Sequence, residues 1–283
     1  MKKLLLIVAM FMLSFSTYAQ LKTPAPSPFS KVEQKVGLTD ITIEYSRPGV
    51  KERVIFGDLV PYGKVWRTGA NARTKFTSST DFTVDGQTVK AGSYSIFTIP
   101  NAESWEIIFY NDGKDRGTPS ELKAEHIVAK TTAKVYPVDF NVETFTIDIN
   151  SIKTNNARLE FIWEKTYVGI PFELPTDNLV LANINDVMNG SPTSNDYYAA
   201  ASYYFAEGKD IKQTKAWIDK AIDMAGDKVG FWQLRKQALI YAKAGDKTEA
   251  ITIAKKSLAA AKEAKNEAYV KMNTASLEEW GAM

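Results

Sequence analysis

The segment between residues 45 and 74 carries the side chains in this sequence that are best suited to bind an anion. It holds six cationic side chains against two acidic ones, Glu52 and Asp58. Arginine forks and free backbone N–H groups in tight turns are groups that proteins use to bind carboxylate, sulfate or phosphate. The sequence therefore predicts a pocket for a small anionic ligand, formed by Arg47, Lys51, Arg53, Tyr62, Lys64, Trp66, Arg67, Thr68 and Asn71.

The same segment has a second interpretation, in which its arginines only bind carbonyl and carboxylate oxygens inside a structural loop. Three glycine-containing tight turns lie within it and are typical of a compact loop system. Trp66 and Arg67 are neighbours, so on a strand they face opposite ways and one of them enters the core. Trp66 as a core residue is one interpretation. The other is a platform, shared with Tyr62, on which a sugar ring stacks.

Composition excludes several kinds of catalytic chemistry. The chain has no cysteine, which removes disulfides, thiolate nucleophiles and zinc–cysteine sites. Its single histidine, His126, cannot form a two-histidine metal site, and neither a Gly-x-Ser-x-Gly motif nor a phosphate-binding Gly-Lys-Ser/Thr loop occurs. The sequence therefore assigns no catalytic residue, no metal ligand and no cofactor.

The first 19 residues have the pattern of a cleavable signal peptide. Lys2 and Lys3 precede an apolar run from Leu4 to Leu13, and small residues at positions 17 and 19 precede Gln20. Cleavage removes two lysines and leaves 33 basic and 33 acidic side chains, so the mature chain has no net charge. A neutral protein lacks the positive field that attracts nucleic acid. We expect export to the periplasm, or alternatively to the cell exterior, with no membrane span after cleavage.

Residues 31–175 show the period-two alternation of β-strands, after a proline-rich leader at residues 20–30. Eight or nine short strands follow one another at spacings of about 8–12 residues, and Asp85-Gly86 marks a two-residue hairpin turn. No helical pattern long enough for a parallel crossover separates these strands. The sequence predicts an antiparallel β-sandwich, with a partly open barrel as the competing arrangement.

Near residue 176 the periodicity changes to the 3.6-residue pattern of amphipathic helices. Residues 198–222 line up with residues 234–258 at an offset of 36, with glycine in the turn of each copy. Small and aromatic residues at fixed places in such helix–turn–helix units resemble a tetratricopeptide repeat. We therefore expect residues 176–283 to form a short helical repeat domain that offers a surface to an envelope protein or peptide.

Four strings in the β-rich region carry a resemblance to a known family. They are YSRP at 45–48, IFG at 55–57, LVPYGKVWRTGAN at 59–71 and AGSYSIFTIP at 91–100. In these strings the chain resembles the exported bacterial family called "domain of unknown function 2911", over about residues 28–172. The resemblance implies export and the domain layout, and it implies no activity. The family usually has Glu after the Asn of the Gly-Ala-Asn motif, where this chain has Ala72.

These patterns favour a two-domain exported protein of the β + α class that binds a ligand or partner rather than catalysing a reaction. The leading hypothesis is a binding or interaction protein with its anion pocket at residues 45–74. The first alternative is a hydrolase of envelope glycans or peptides that uses paired carboxylates together with Tyr62 and the basic cluster. The second alternative is a purely structural role in the cell envelope.

Overall fold

The computed structural model describes residue 21 and residues 23–283. This part of the chain divides into two compact units, one ending at Thr176 and the other beginning at Asp177. The first unit is built from β-strands and the second from α-helices, which confirms the predicted β + α class. The predicted signal peptide, residues 1–19, lies outside the described residues.

The first unit is one antiparallel sheet whose strands do not follow the order of the sequence. The strands in the described part of the chain are β1 (Phe29–Val36), β2 (Thr39–Ser46), β3 (Thr74–Ser78), β4 (Phe82–Val84), β5 (Gln87–Val89), β6 (Gly92–Pro100), β7 (Ser104–Tyr110), β8 (Ile127–Asn150) and β9 (Asn156–Glu173). Across the sheet they run β1-β2-β3-β6-β7-β8-β9-β4-β5. Every neighbouring pair is antiparallel, as predicted.

The turn predicted at Asp85-Gly86 is confirmed. It joins β4 to β5, and Phe82 lies opposite Val89 in the resulting hairpin. The φ angles of Asp85 and Gly86 are 50° and 73°. Two successive positive φ angles define the turn type whose twist matches that of the flanking strands, and glycine adopts such an angle without a steric penalty.

Two strands, β8 and β9, are longer than the short strands expected from the sequence. The alternation predicts separate strands at residues 127–136 and 145–149, but both belong to β8, which has 24 residues. The first part of β8 pairs with β7 and the second part with β9. The register of the second pairing shifts between Pro137 and Val142 and again between Val142 and Thr146. Such irregularities bend a strand, so β8 continues through a region that the sequence marks as a break.

Aromatic side chains from distant parts of the sheet meet in the core. The ring of Phe76 in β3 lies 5.1 Å from that of Phe82 in β4 and 5.8 Å from that of Phe172 in β9, between centroids. Because β3 is adjacent to neither β4 nor β9 in the sheet, the sheet folds over and its halves face each other. A second group of rings in this core consists of Phe56, Trp66, Trp105, Phe145 and Trp163.

The second unit consists of consecutive helices joined by short turns. They are α1 (Thr176–Met188), α2 (Ser194–Ala206), α3 (Ile211–Ala225), α4 (Phe231–Lys243), α5 (Lys247–Glu263) and α6 (Glu267–Glu279). From α2 onward each helix packs against the next, α2 with α3, α3 with α4, α4 with α5 and α5 with α6. None of the helices in residues 23–283 is long and apolar enough to cross a membrane.

Local side chains define where these helices begin. The Thr193 hydroxyl and the Asp196 carboxylate form a reciprocal cap at the start of α2, and Asp210 accepts from the backbone N–H of Lys212 at the start of α3. Ile218 of α3 and Ala254 of α5, which the sequence pairs at an offset of 36, are both buried. The likeness of this unit to tetratricopeptide repeats stays a prediction.

Candidate anion-binding site

The turn at residues 66–71 is attached to the sheet by its first residue. Trp66 and Thr98 of β6 form an isolated antiparallel bridge, with N–O distances of 2.8 and 2.9 Å. After this bridge the φ angles of Thr68, Gly69 and Asn71 are 58°, 149° and 58°. A left-handed backbone at a β-branched residue such as Thr68 is rare and costs about 1–3 kcal/mol. The surrounding structure must therefore hold this turn in place.

Hydrogen bonds and close packing fix the turn that carries Arg67. The Trp66 indole donates from Nε1 to Gly69 O at 3.1 Å, and the Thr74 hydroxyl donates to Thr68 O. A Cβ atom at position 69 would lie 3.1 Å from a backbone oxygen and 3.1 Å from Thr74 Oγ1. The positive φ and this close approach together require glycine.

A hollow of about 310 Å³ lies beside this turn. Three cationic side chains border it, and no Asp or Glu does among the described residues. The surplus of positive charge favours a negatively charged occupant. The residues that line the hollow are Pro26, Ser27, Pro48, Gly49, Lys51, Arg53, Leu59, Val60, Trp66, Arg67, Gly69, Ala70 and Trp163.

The three cations differ in how far the protein itself satisfies their N–H groups. Arg53 donates from Nε and Nη2 to the carbonyls of residues 50 and 49, at 3.0 and 2.6 Å. Lys51 donates from Nζ to Pro26 O at 3.3 Å. Arg67 Nε is shielded from solvent and has no hydrogen-bond partner among the residues that the structure describes. Because an unsatisfied charged donor is costly, Arg67 is the group that most needs an acceptor from outside the chain.

Four of the nine predicted site residues border this hollow, namely Lys51, Arg53, Trp66 and Arg67. Arg47 does not border it. Its guanidinium donates from Nε to the backbone carbonyl of residue 145 at 3.0 Å and from Nη2 to the hydroxyl of residue 146 at 2.6 Å. Arg47 thus fits the structural-loop interpretation, in which an arginine satisfies oxygens of the protein itself.

The other four predicted residues also lie outside the lining of the hollow. Tyr62 and Lys64 are exposed, and the Tyr62 ring lies against Gly57. Thr68 is buried and its hydroxyl bonds within the protein, while Asn71 donates from Nδ2 to the carbonyl of residue 27 at 3.2 Å. Since Tyr62 is not among the lining residues, it does not join Trp66 in a stacking platform there.

Trp66 and Arg67 both border the hollow although they are adjacent in sequence. The expectation that they face opposite ways assumes a regular strand, but Trp66 makes only a single bridge to Thr98. The Trp66 ring also packs in the core, 5.0 Å from Phe145 and 5.9 Å from Trp163 between centroids. Trp66 therefore acts as a core residue with one edge at the hollow.

Sequence reasoning missed Trp163 as a lining residue. It lies in β9, about a hundred positions after Arg67, and only the pairing of β8 with β9 brings it to this place. Its indole donates from Nε1 to Glu143 O at 3.3 Å. The only local signal is that Trp163 belongs to an alternating apolar run, which indicates burial but not contact with a ligand.

Sequence reasoning also missed the role of Arg73, which belongs to the same basic segment. Arg73 is 4% exposed and donates from Nη1 to Asp112 at 2.6 Å, from Nε to Gly117 O at 2.7 Å and from Nη1 to Lys114 O at 3.2 Å. Its hydrogen bond to Asp112 is the main cause that holds the pKa of that carboxyl below its usual value. Arg73 therefore fixes the loop at residues 111–117.

The acidic and histidine side chains described outside the hollow do not gather into a metal site. No group of three or more His, Cys, Asp or Glu residues in the described chain is placed to hold a metal ion. His126 precedes β8 and lies edge-on to Tyr110, 5.6 Å between ring centroids. In the helical unit, Asp177 accepts from Tyr203 and from Lys209 at 2.8 and 2.9 Å, so this acid bonds within the protein.

A family model described as "Protein of unknown function (DUF2911)" matches residues 27–172, which is more than half of the chain. The chain belongs to the DUF2911 family. The resemblance predicted from the sequence is thereby confirmed, and the DUF2911 region contains every lining residue of the hollow except Pro26. Ala72, where the family usually has Glu, is exposed and bridges to Arg116 outside the hollow. No curated protein and no solved structure matches the chain.

Proposed function

We propose that the DUF2911 region of this protein binds a small anion in the hollow beside Arg67. The observation that carries the proposal is that Arg67 borders the hollow and that its guanidinium makes no hydrogen bond with the described residues. An anion in the hollow supplies an acceptor for this guanidinium, and the fork of N–H groups on arginine suits a two-oxygen ligand. Lys51 and Arg53 add positive charge to the same space.

Binding is better supported than hydrolysis at this place. Hydrolysis of a glycosidic bond by the usual route needs two carboxyl groups facing each other across the substrate. The described residues that line the hollow include three cations and no carboxylate. Glu143 lies nearby, but its Oε1 accepts from the Lys51 backbone N–H at 3.0 Å.

The proposal also includes export and a second binding surface, both argued from the sequence. The basic and apolar leader at residues 1–19 supports export to the periplasm. The repeated helical segments support a surface for an envelope protein or peptide. Fractionation of cells that produce the protein, with sequencing of its mature N-terminus, tests export: we expect a periplasmic chain beginning at Gln20.

Thermal unfolding with added anions tests the proposed pocket. Acetate, benzoate, phosphate and sulfate are compared at constant ionic strength with wild-type protein and with Arg67→Met. A ligand present at ten times its Kd stabilises the folded state by about 1.4 kcal/mol, which raises Tm by a few degrees for a domain of this size. We expect at least one anion to raise the Tm of the wild type in this way and to leave that of Arg67→Met unchanged.

Arg116→Met is the matched control, because Arg116 is exposed and does not border the hollow. The substitution removes the same charge as Arg67→Met. We expect this variant to respond to the anions like the wild type. Equal responses of the wild type and Arg67→Met, or no response to any of the four anions, would contradict the proposal.

A further inference from the structure

We propose that the ligand of the hollow is an amphiphilic carboxylate, an organic acid that carries a flat apolar group beside its carboxylate. This inference rests on the proposed anion-binding function of the same hollow and names its ligand class. It follows from the apolar part of the lining, with which a bare inorganic ion makes no favourable contact.

The apolar part of the lining consists of side chains with no polar group to offer. Leu59 and Val60 are aliphatic, and both indole N–H groups at the hollow are already bonded. Trp66 Nε1 donates to Gly69 O at 3.1 Å, and Trp163 Nε1 donates to Glu143 O at 3.3 Å. The partly exposed Trp66 indole therefore presents carbon atoms to an occupant, whereas Trp163 is buried behind it. Contact with carbon is favourable for an apolar group and not for a hydrated ion.

Leu59 adds an exposed apolar side chain to the same lining. It is 44% exposed, whereas the neighbouring Val60 is buried. A ligand with an apolar group covers part of this Leu59 surface when it enters, which removes the side chain from water. A phosphate or sulfate ion has no atom that gains from this contact.

The size of the hollow also suits an organic acid. Its volume of about 310 Å³ falls at the lower end of the range of about 300–1,000 Å³ that is typical of small-molecule sites. In the proposed complex the carboxylate accepts from the Arg67 guanidinium, and Lys51 and Arg53 add electrostatic attraction. The ring of the acid contacts Leu59 and the indole carbons of Trp66.

Three probes separate the contributions of charge and of apolar contact. Benzoate carries both features, acetate carries only the carboxylate, and benzyl alcohol carries only the ring. Dissociation constants with the purified protein are measured by titration calorimetry at constant ionic strength, with inorganic phosphate as a fourth ligand. We expect benzoate to bind at least tenfold more tightly than acetate, benzyl alcohol or phosphate.

Two variants at exposed apolar positions test the role of the carbon surface. Leu59→Asn removes a lining side chain, and Leu38→Asn is the control, because Leu38 is 50% exposed and lies outside the hollow. We expect Leu59→Asn to weaken benzoate binding at least threefold with acetate affinity unchanged, and Leu38→Asn to change neither. Arg67→Met should abolish binding of benzoate and acetate alike.

The outcomes distinguish this inference from the proposed function on which it rests. If acetate or phosphate binds as tightly as benzoate and Arg67→Met abolishes that binding, the hollow binds anions but the amphiphilic class is wrong. If benzoate affinity is the same in Leu59→Asn and the wild type, the class is likewise wrong. If no anionic probe binds, both proposals fail together.

Discussion

Arg67 and Arg73 lie six positions apart in the same basic segment, yet their surroundings are opposite. Arg73 finds a carboxylate and two backbone carbonyls in the loop at residues 111–117. Arg67 has a buried Nε without an acceptor in the described part of the chain. A high density of arginines therefore indicates a basic region but does not identify which of its arginines binds a ligand. What distinguishes a structural arginine from a binding arginine is whether the fold supplies its acceptors.

The largest expected loss of stability comes from removing Arg73, the arginine whose N–H groups have acceptors within the protein. Arg73→Met leaves Asp112, whose side chain is only 11% exposed, without its partner. Breaking a buried ion pair by removing one member costs about 3–5 kcal/mol, because the remaining charge stays desolvated. We expect the free energy of unfolding to fall by about this amount in urea titrations followed by tryptophan emission.

Lys75→Met provides the control for that loss. Lys75 forms an ion pair with Asp115 at 2.6 Å, but the Asp115 side chain is 70% exposed. Exposed ion pairs are screened by solvent and contribute little to stability, so Lys75→Met should hardly change the free energy of unfolding. Equal losses in the two variants would show that burial does not separate these pairs.

Removing the unsatisfied arginine should have the opposite effect on stability. Arg67→Met eliminates a buried N–H group without an acceptor, whose desolvation costs about 1–3 kcal/mol. We therefore expect Arg67→Met to be as stable as the wild type or up to about 1 kcal/mol more stable in the absence of ligand, while losing its response to anions. A marked loss of stability in ligand-free urea titrations would place Arg67 in the same class as Arg73.

Acid pH tests the ion pair of Arg73 with Asp112 directly. The Arg73 hydrogen bond lowers the pKa of Asp112 in the folded state. A carboxyl with a lowered folded pKa stabilises the protein above its unfolded pKa of about 3.9, and this stabilisation is lost as the pH falls through the folded pKa. We expect the free energy of unfolding of Asp112→Asn to depend less on pH below about pH 4 than that of the wild type.

The single variant Arg73→Met provides the internal control for this pH dependence. Without the guanidinium, Asp112 keeps its carboxyl but loses the main cause of its lowered pKa, so Arg73→Met should also depend less on pH below about pH 4 than the wild type. Urea titrations between about pH 2.5 and pH 6 measure both variants. An unchanged slope in Asp112→Asn would mean that this pair does not contribute to acid unfolding.

The sequence predicts the elements of this protein well and the surroundings of its charges poorly. Alternating residues and the turn at Asp85-Gly86 indicate an antiparallel sheet because strand period and turn chemistry are local properties. The acceptors of Arg47 lie at residues 145 and 146, and those of Arg73 at residues 112–117. These contacts depend on strand order and on the register shifts in β8, which no local pattern encodes.

The smallest expected effects separate cations at the hollow from cations that are near it only in sequence. Lys51 borders the hollow, whereas Lys64 is exposed and does not border it. A partly solvated charge contributes about 0.2–1 kcal/mol, so Lys51→Ala should weaken benzoate binding by up to about fivefold. Lys64→Ala removes the same charge from the same segment and should leave the dissociation constant unchanged in calorimetry. If the two variants weaken binding equally, the general positive field of residues 45–74 attracts the anion, and the hollow has no special role.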